Sequence, residues 1–229
     1  MIGAIRDRLG AGAPLVMLDP GGYAPSLPAR LPAGVADILF IDCERAPVSI
    51  DQACVMASAA RVAGLLPVVR SESGDPAILT RYLDAGAGGL VLPQVRDAAQ
   101  VRRLLDVIAL HRADGLAIPQ IETTEAAAAL AALAALEGID AWLIGPNDLA
   151  AEMGHPGQPG HPDVAAEVAR IAATLRGAGR AFGLPATTPE ARAHWAGQGA
   201  ALLYLPLMSL VTLGARAYAS PDQSPKATP

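Results

Sequence analysis

Short uninterrupted apolar runs alternate along the chain with longer stretches in which apolar residues recur every three or four positions. The runs are Leu15 to Asp19, Ala36 to Asp42, Leu65 to Arg70, Gly88 to Val95, Leu116 to Glu122, Ala141 to Asp148, Arg180 to Thr187 and Ala201 to Leu207. Continuous apolar runs of this length predict strands covered on both faces, and the periodic stretches between them predict helices. Several helix starts are marked. Ser49-x-x-Gln52 reads as a capping box, and Asp75-Pro76, Asp97, Asp163 and Thr188-Pro189 read as N-cap signals. The opening MIGAIRDRLGAG reads as a short amphipathic helix. Eight strands with helical crossovers predict an α/β fold with a parallel sheet closed into a (β/α)8 TIM barrel rather than left open. With no internal repeat and no linker, residues 1–219 read as one barrel domain. The Pro/Ser-rich polar tail, 220–229, reads as disordered.

Composition narrows the function. At 52% hydrophobic the chain has ample core for one large domain. A net charge of −5 without clustered Lys or Arg gives no electrostatic footprint for nucleic acid or an anionic membrane, which leaves small-molecule partners. Cys43 and Cys54 are the only cysteines, and they form no CxxC pair. Neither a disulfide framework nor a zinc site is indicated, and a reducing, cytoplasmic setting is expected. The N-terminus lacks the apolar run and cleavage pattern of a signal peptide. Charge, Pro or Gly interrupts every apolar run well short of the roughly 18 to 20 residues of a membrane span.

Active groups of such a barrel lie at the C-terminal ends of its strands. Those ends carry Asp19, Asp42 with Glu44 and Arg45, Arg70, Gln94 after Pro93, Gln120 with Glu122, and Asn147 with Asp148. The stretch FIDCERAP, Phe40 to Pro47, packs two carboxylates and a guanidinium onto the end of a core strand. Buried charge is costly unless paired or bound, so this strand is read as emerging at a site. Glu122 and Asp148 end consecutive strands, which sets two carboxylates side by side. With waters and a substrate oxygen they suit Mg²⁺ or Mn²⁺. Arg70 is placed to hold a carboxylate or steady a developing enolate oxygen. Metal and cation together would polarise a 2-oxo acid; a structural ion-pair network is the alternative.

The motifs FIDCERAP, PVVR ending at Arg70, YLDAGAGGLVLPQV, PQIET and IGPNDLAAEMGHPGQPGHP resemble the HpcH/HpaI aldolase family, class II 2-oxo acid aldolases related to the citrate lyase β subunit. The similarity runs from about Ile38 to Val168 and is weaker on either side. It implies that Glu122 and Asp148 bind a divalent metal, Mg, Mn or Co. It implies that Arg70 contacts bound pyruvate or its enolate, with Gln120 close to the metal and Pro146 and Asn147 among the substrate-binding residues. Asp42 matches the acid that orients the catalytic base, and Asp84 matches an aspartate near a subunit interface. Relatives are commonly hexamers of domain-swapped dimers, so a homo-oligomer is expected.

Three departures bear on chemistry. Where the family motif DxEHAP has a histidine that forms an acid/base dyad with the aspartate, this chain has Arg45. Arg keeps its charge and is no general base. Arg45 has three readings: an ion pair with Asp42 or Glu44, a receptor with Arg70 for a dicarboxylate such as oxaloacetate, or a mark of lost chemistry. The segment between Val95 and Leu116 has room for little more than one helix where many relatives have a long loop, which predicts a more open pocket. YLPLMS, Tyr204 to Ser209, stands where relatives often carry a Gly and an acidic residue. A substitute base is either His155 or a metal-bound water; the other reading of His155 is a solvated loop residue. His161 reads as structural, His111 and His194 as surface residues, and Cys43 as a packed thiol. The function expected is a metal-dependent carbon–carbon lyase working through a pyruvate-type enolate, either an aldolase or an oxaloacetate decarboxylase. The alternatives are condensation of an acyl-CoA with oxaloacetate, and an oxo-acid-binding homologue without turnover.

Overall fold

A computed structural model describes residues 1–111 and 114–219. Helix α1 (Ile2–Gly10) leads into β1 (Leu15–Asp19), followed by β2 (Ile38–Asp42), α2 (Ile50–Val62), β3 (Leu66–Arg70), α3 (Pro76–Asp84), β4 (Gly89–Leu92) and α4 (Ala98–His111). The second half runs β5 (Leu116–Ile121), α5 (Thr124–Ala128), α6 (Leu130–Ala134), β6 (Trp142–Ile144), α7 (Pro146–Glu152), α8 (Pro162–Gly177), β7 (Phe182–Pro185), α9 (Pro189–Gly197), β8 (Leu202–Pro206) and α10 (Leu207–Ala219). Every strand pairs in parallel with the next, and β8 returns to β1, so the sheet closes as the expected (β/α)8 barrel.

Strand alternation explains the position of the charges. Successive side chains of a strand point to opposite faces. Ile38 and Phe40 belong to the apolar cluster inside the barrel, whereas Leu39 and Ile41 pack outward beneath the helices. The same alternation carries Asp42 inward at the end of β2, Arg70 inward after Leu66 and Val68, and Gln120 inward after Leu116 and Ile118. Apolar side chains fill the barrel below, with Ile5 and Leu9 of α1 in the same cluster. The next inward layer toward the C-terminal rim is polar.

The observed strands are shorter than the apolar runs, for local reasons. Gly145-Pro146 ends the ladder after Ile144 and starts α7, so Asn147 and Asp148 lie in the first turn of that helix rather than on a strand. On β4, Pro93 follows Leu92 and has no N–H to continue the pairing. The Ser49–Gln52 capping box and the Asp75 and Thr188 caps are present, and Asp97 accepts from Gln100 N at 2.9 Å. Asp163 is not a cap. Pro162 fixes the first helical position of α8, so His161 caps it and Asp163 falls in the first turn. Helix α4 occupies most of the segment between Val95 and Leu116. The disordered tail expected at 220–229 lies outside the described residues. Among the described residues no helix is long and apolar enough to cross a membrane.

Candidate active site

A cavity of about 350 Å³ opens at the C-terminal rim, and Arg45, Arg70, Gln120, Glu122, Pro146, Asn147 and Asp148 all line it. Asp42 lies behind Arg70. Its carboxylate takes both edges of the guanidinium, Nε to Oδ1 at 2.9 Å and Nη2 to Oδ2 at 2.6 Å. Asp42 Oδ1 also accepts the backbone N–H groups of Glu44 and Arg45, each at 3.1 Å, which turns the chain sharply after β2. Glu44 approaches Arg70 Nε to 3.3 Å without forming a hydrogen bond, leaving its Oε2 buried and undonated. Burial works against the Arg70 charge, but the Asp42 hydrogen bond and the Asp42 and Glu44 charges outweigh it and raise its pKa. Burial raises the Glu44 pKa, against the opposing pull of the two arginines.

Glu122, the residue after β5, is fully buried. Its Oε1 accepts from Gln94 twice, from the backbone N–H at 2.8 Å and from Nε2 at 3.2 Å; its Oε2 accepts from Gln120 Nε2. All these donors are uncharged. Burial, reinforced by the Asp148 and Glu44 charges, pushes the Glu122 pKa up to about 8 despite the Gln94 bond and the Arg70 charge. Gln120 Oε1 remains buried without a partner. Gly145 completes this wall: a Cβ there would lie 2.4 Å from Glu122 Oε2 and 2.6 Å from Gln120 Nε2.

Asp148 accepts Arg45 Nη2 at 2.6 Å, and Glu44 lies 3.7 Å from Arg45 Nε. Of the two pairings expected for Arg45, the one with Glu44 is present as a loose ion pair, and Asp148 takes the place of Asp42 as the close partner. Asp42 meets only the backbone of Arg45, and the turn it enforces sends the side chain to the first turn of α7. Arg45 is 54% exposed and Arg70 only 12%.

Two residues named from the sequence only in passing, Gln94 as a strand end and Tyr204 within YLPLMS, have roles in the site that sequence reasoning missed. Gln94 is the one described non-glycine residue with positive φ, +52°, and that twist belongs to the residue whose N–H meets Glu122. Tyr204 lines the cavity, donates its hydroxyl to Asp19 Oδ2 and packs edge-on against Phe40 with centroids 5.2 Å apart. Burial raises the Asp19 pKa. Inward alternation from Leu202 to Tyr204 on β8 was the available signal.

The histidines lie elsewhere. His155 does not line the cavity; it stacks on His161 with centroids 3.6 Å apart. His111 Nε2 is 2.9 Å from Asp84, and His194 packs edge-on to Trp195. Cys43 is buried, and that burial pushes its thiol up to about 11, consistent with a packed thiol.

A closed (β/α)8 barrel with carboxylates and guanidinium groups gathered at its C-terminal rim is the architecture of barrel enzymes that act on small polar ligands. Residues 17–205 match the HpcH/HpaI aldolase/citrate lyase family, and the chain belongs to it. It is 34% identical to a pyruvate aldolase of Rhizobium etli, over 75% of this chain and 76% of that protein. It is 33% identical to a 4-hydroxy-2-oxo-heptane-1,7-dioate aldolase of Salmonella paratyphi C, over 85% and 84%. Among solved structures, a family protein of Burkholderia cenocepacia superposes with TM-score 0.86 at 25% identity, covering 96% of this chain and 99% of that one. A citrate lyase β subunit of M. tuberculosis, complexed with oxaloacetate and magnesium, superposes with TM-score 0.62 at 24% identity, covering 92% and 99%.

Proposed function

We propose that this protein is a divalent-metal-dependent carbon–carbon lyase that acts on a 2-oxo acid through a pyruvate-type enolate. Aldol cleavage and oxaloacetate decarboxylation are the two forms of that chemistry. The observation that carries the reading is that Glu122 and Asp148 line one cavity together with the guanidinium groups of Arg70 and Arg45. The site fits a hard cation. Glu122 has only uncharged hydrogen-bond donors, Gln120 Oε1 has none, and Gly145 leaves space beside both. Glu122 and Asp148 would hold the ion, Mg²⁺, Mn²⁺ or Co²⁺, with Gln120 beside them. Bound there, the ion supplies Lewis-acid polarisation of the 2-oxo group.

The protein's own groups do the rest. Arg70, fixed by Asp42 and Glu44, is the catalytic cation that receives the substrate carboxylate and the growing enolate charge. Asp42 positions it. Pro146 and Asn147 shape the substrate pocket in front of α7. Arg45 replaces the histidine of the family motif and cannot accept a proton, and His155 is away from the cavity. Tyr204 with Asp19 is the pair placed for proton transfer. As a substrate proton reaches the Tyr204 oxygen, the phenolic proton passes to Asp19 Oδ2, a carboxylate made more basic by burial.

Deuterium uptake into the pyruvate methyl group, followed by NMR with and without Mn²⁺, tests the reading without a guess about the second substrate. Metal-dependent uptake lost in Glu122→Gln supports it, and no uptake with any of the three metals rejects it. Loss of uptake in Tyr204→Phe with pyruvate binding retained assigns the proton pair; unchanged uptake removes it.

A second reading is favoured by the exposure of Arg45 in the same open cavity as Arg70: condensation of an acyl-CoA with oxaloacetate, the two arginines receiving the two carboxylates. Oxaloacetate-dependent release of CoA distinguishes it.

The assembly belongs to the same proposal. Helix α10 buries none of its residues in the single chain, although Met208 and Val211 are large, exposed and apolar. A second copy covering this helix, within a domain-swapped dimer and a hexamer of the family type, is the arrangement we favour, and light scattering reads it directly. The free thiols Cys43 and Cys54 accord with a reducing, cytoplasmic setting.

A further inference from the structure

The loop joining α7 to α8 gathers two imidazoles and a carboxylate outside the cavity. After α7, Gly154 and Gly157 take φ of +84° and +73°. Backbone bonds from His155 N to Ala150 O (2.7 Å), Gln158 N to His155 O (3.0 Å) and His161 N to Gln158 O (2.9 Å) fold the segment back on itself. Pro156, Pro159 and Pro162 restrict it further. The rings of His155 and His161 therefore lie face to face, 13° from parallel. Asp163 Oδ2 sits 3.5 Å from His155 Nε2 and 3.6 Å from His161 Nδ1.

These spacings are close to those a metal requires. Bonds of about 2.0–2.1 Å in a tetrahedral site separate neighbouring ligand atoms by about 3.3–3.4 Å. One ligand atom from each of the three residues lies within 4.8 Å of the others, and the two pairs with Asp163 are already close; the stacked rings tilt apart, with up to about 1.4 Å of closure between nitrogens, so that each in-plane lone pair meets the ion. Both histidines are about three-quarters covered, at 26% and 30% exposure, while Asp163 at 69% leaves one side open to water. The competing use of His161 is weak: its Nδ1 accepts from Asp163 N at 3.3 Å, a long cap that a metal bond replaces.

We propose that His155, His161 and Asp163 form a second metal site, selective for a borderline divalent ion, Zn²⁺, Ni²⁺ or Cu²⁺. Two imidazoles and one carboxylate favour these ions over Mg²⁺, which prefers all-oxygen sites. Three protein ligands leave an exchangeable position for water. The ion ties the end of α7, the helix carrying Asp148, to the start of α8. The site is independent of the lyase reading.

The test is a calorimetric Zn²⁺ titration of the Glu122→Gln protein with Mg²⁺ in excess, so that the rim carboxylates do not report. The expected result is one saturable binding event per chain, weakened at least about 10-fold by adding His155→Asn or Asp163→Asn, with circular dichroism unchanged. A parallel Zn²⁺-dependent rise in melting temperature disappears in the same double variants. Absence of saturable Zn²⁺ binding in Glu122→Gln overturns the proposal, as does binding that survives both second substitutions.

Discussion

Arg70 and Arg45 face one cavity from neighbouring points of the rim, yet the chain holds them in opposite ways. Arg70 ends a strand, is mostly buried, and has its two edges matched by the two oxygens of Asp42, with Glu44 alongside. Arg45 follows a turn, is more than half exposed, and makes one close contact, with Asp148. A buried, doubly bonded guanidinium is a fixed part of the wall. An exposed one on a single carboxylate exchanges partners readily. The same residue type thus serves as framework in one place and as a replaceable counter-ion in the other, and the difference lies in burial and bond count rather than charge.

The comparison breaks most sharply at the carboxylates. Glu122→Gln is expected to reduce Mn²⁺-dependent deuterium uptake into pyruvate by more than the roughly 10- to 100-fold typical of losing a group behind a metal ligand. Retained uptake would mean that neither arginine faces a working metal site. Next in size is stability. Arg70→Met strands Asp42 in a buried position and is expected to cost about 3–5 kcal/mol in urea denaturation, whereas Arg45→Gln costs about 0–1 kcal/mol. Equal losses would erase the distinction between the two.

The pH dependence of stability sharpens it further. The folded pKa of Glu122, about 8, is above the ordinary glutamate value of 4.5 that the unfolded chain has. Native protein therefore holds a proton that the unfolded chain releases, so the stabilisation is full below about pH 4.5 and is lost as pH rises toward 8. The slope is at most about 1.4 kcal/mol per pH unit. Chemical denaturation of metal-free protein between pH 5 and 8 should show this decline, and Glu122→Gln should flatten it. The smallest effect concerns Arg45 alone. Because it occupies Asp148 Oδ1, Arg45→Gln is expected to tighten Mn²⁺ binding several-fold; electron paramagnetic resonance of free Mn²⁺ reads the change.

The barrel was legible because eight apolar runs of strand length carry their own punctuation, and alternation within FIDCERAP and PVVR already aims Asp42 and Arg70 inward. The site residues converged for the same reason. What sequence reasoning missed depends on three-dimensional closure. No local pattern announces that the Arg45 side chain reaches α7, 103 positions away, or that Tyr204 from β8 meets Asp19 of β1 across the closing seam. Asp148 was placed on a strand because Ile144-Gly-Pro continues the apolar run, although Pro146 is a helix-start signal. His155 stood as a candidate base from its position after β6, beside the reading of a loop residue, and its ring stacks on His161 away from the cavity.

The twist at Gln94 has a consequence for how this surface can change. Left-handed backbone costs a non-glycine residue about 1–2 kcal/mol, so Gln94→Gly relieves the chain while keeping the N–H that meets Glu122. Only the side-chain amide on Glu122 Oε1 is given up. A glutamine at this position therefore marks a place where sturdiness and site chemistry pull in opposite directions, and a variant selected for heat resistance alone would tend to discard it.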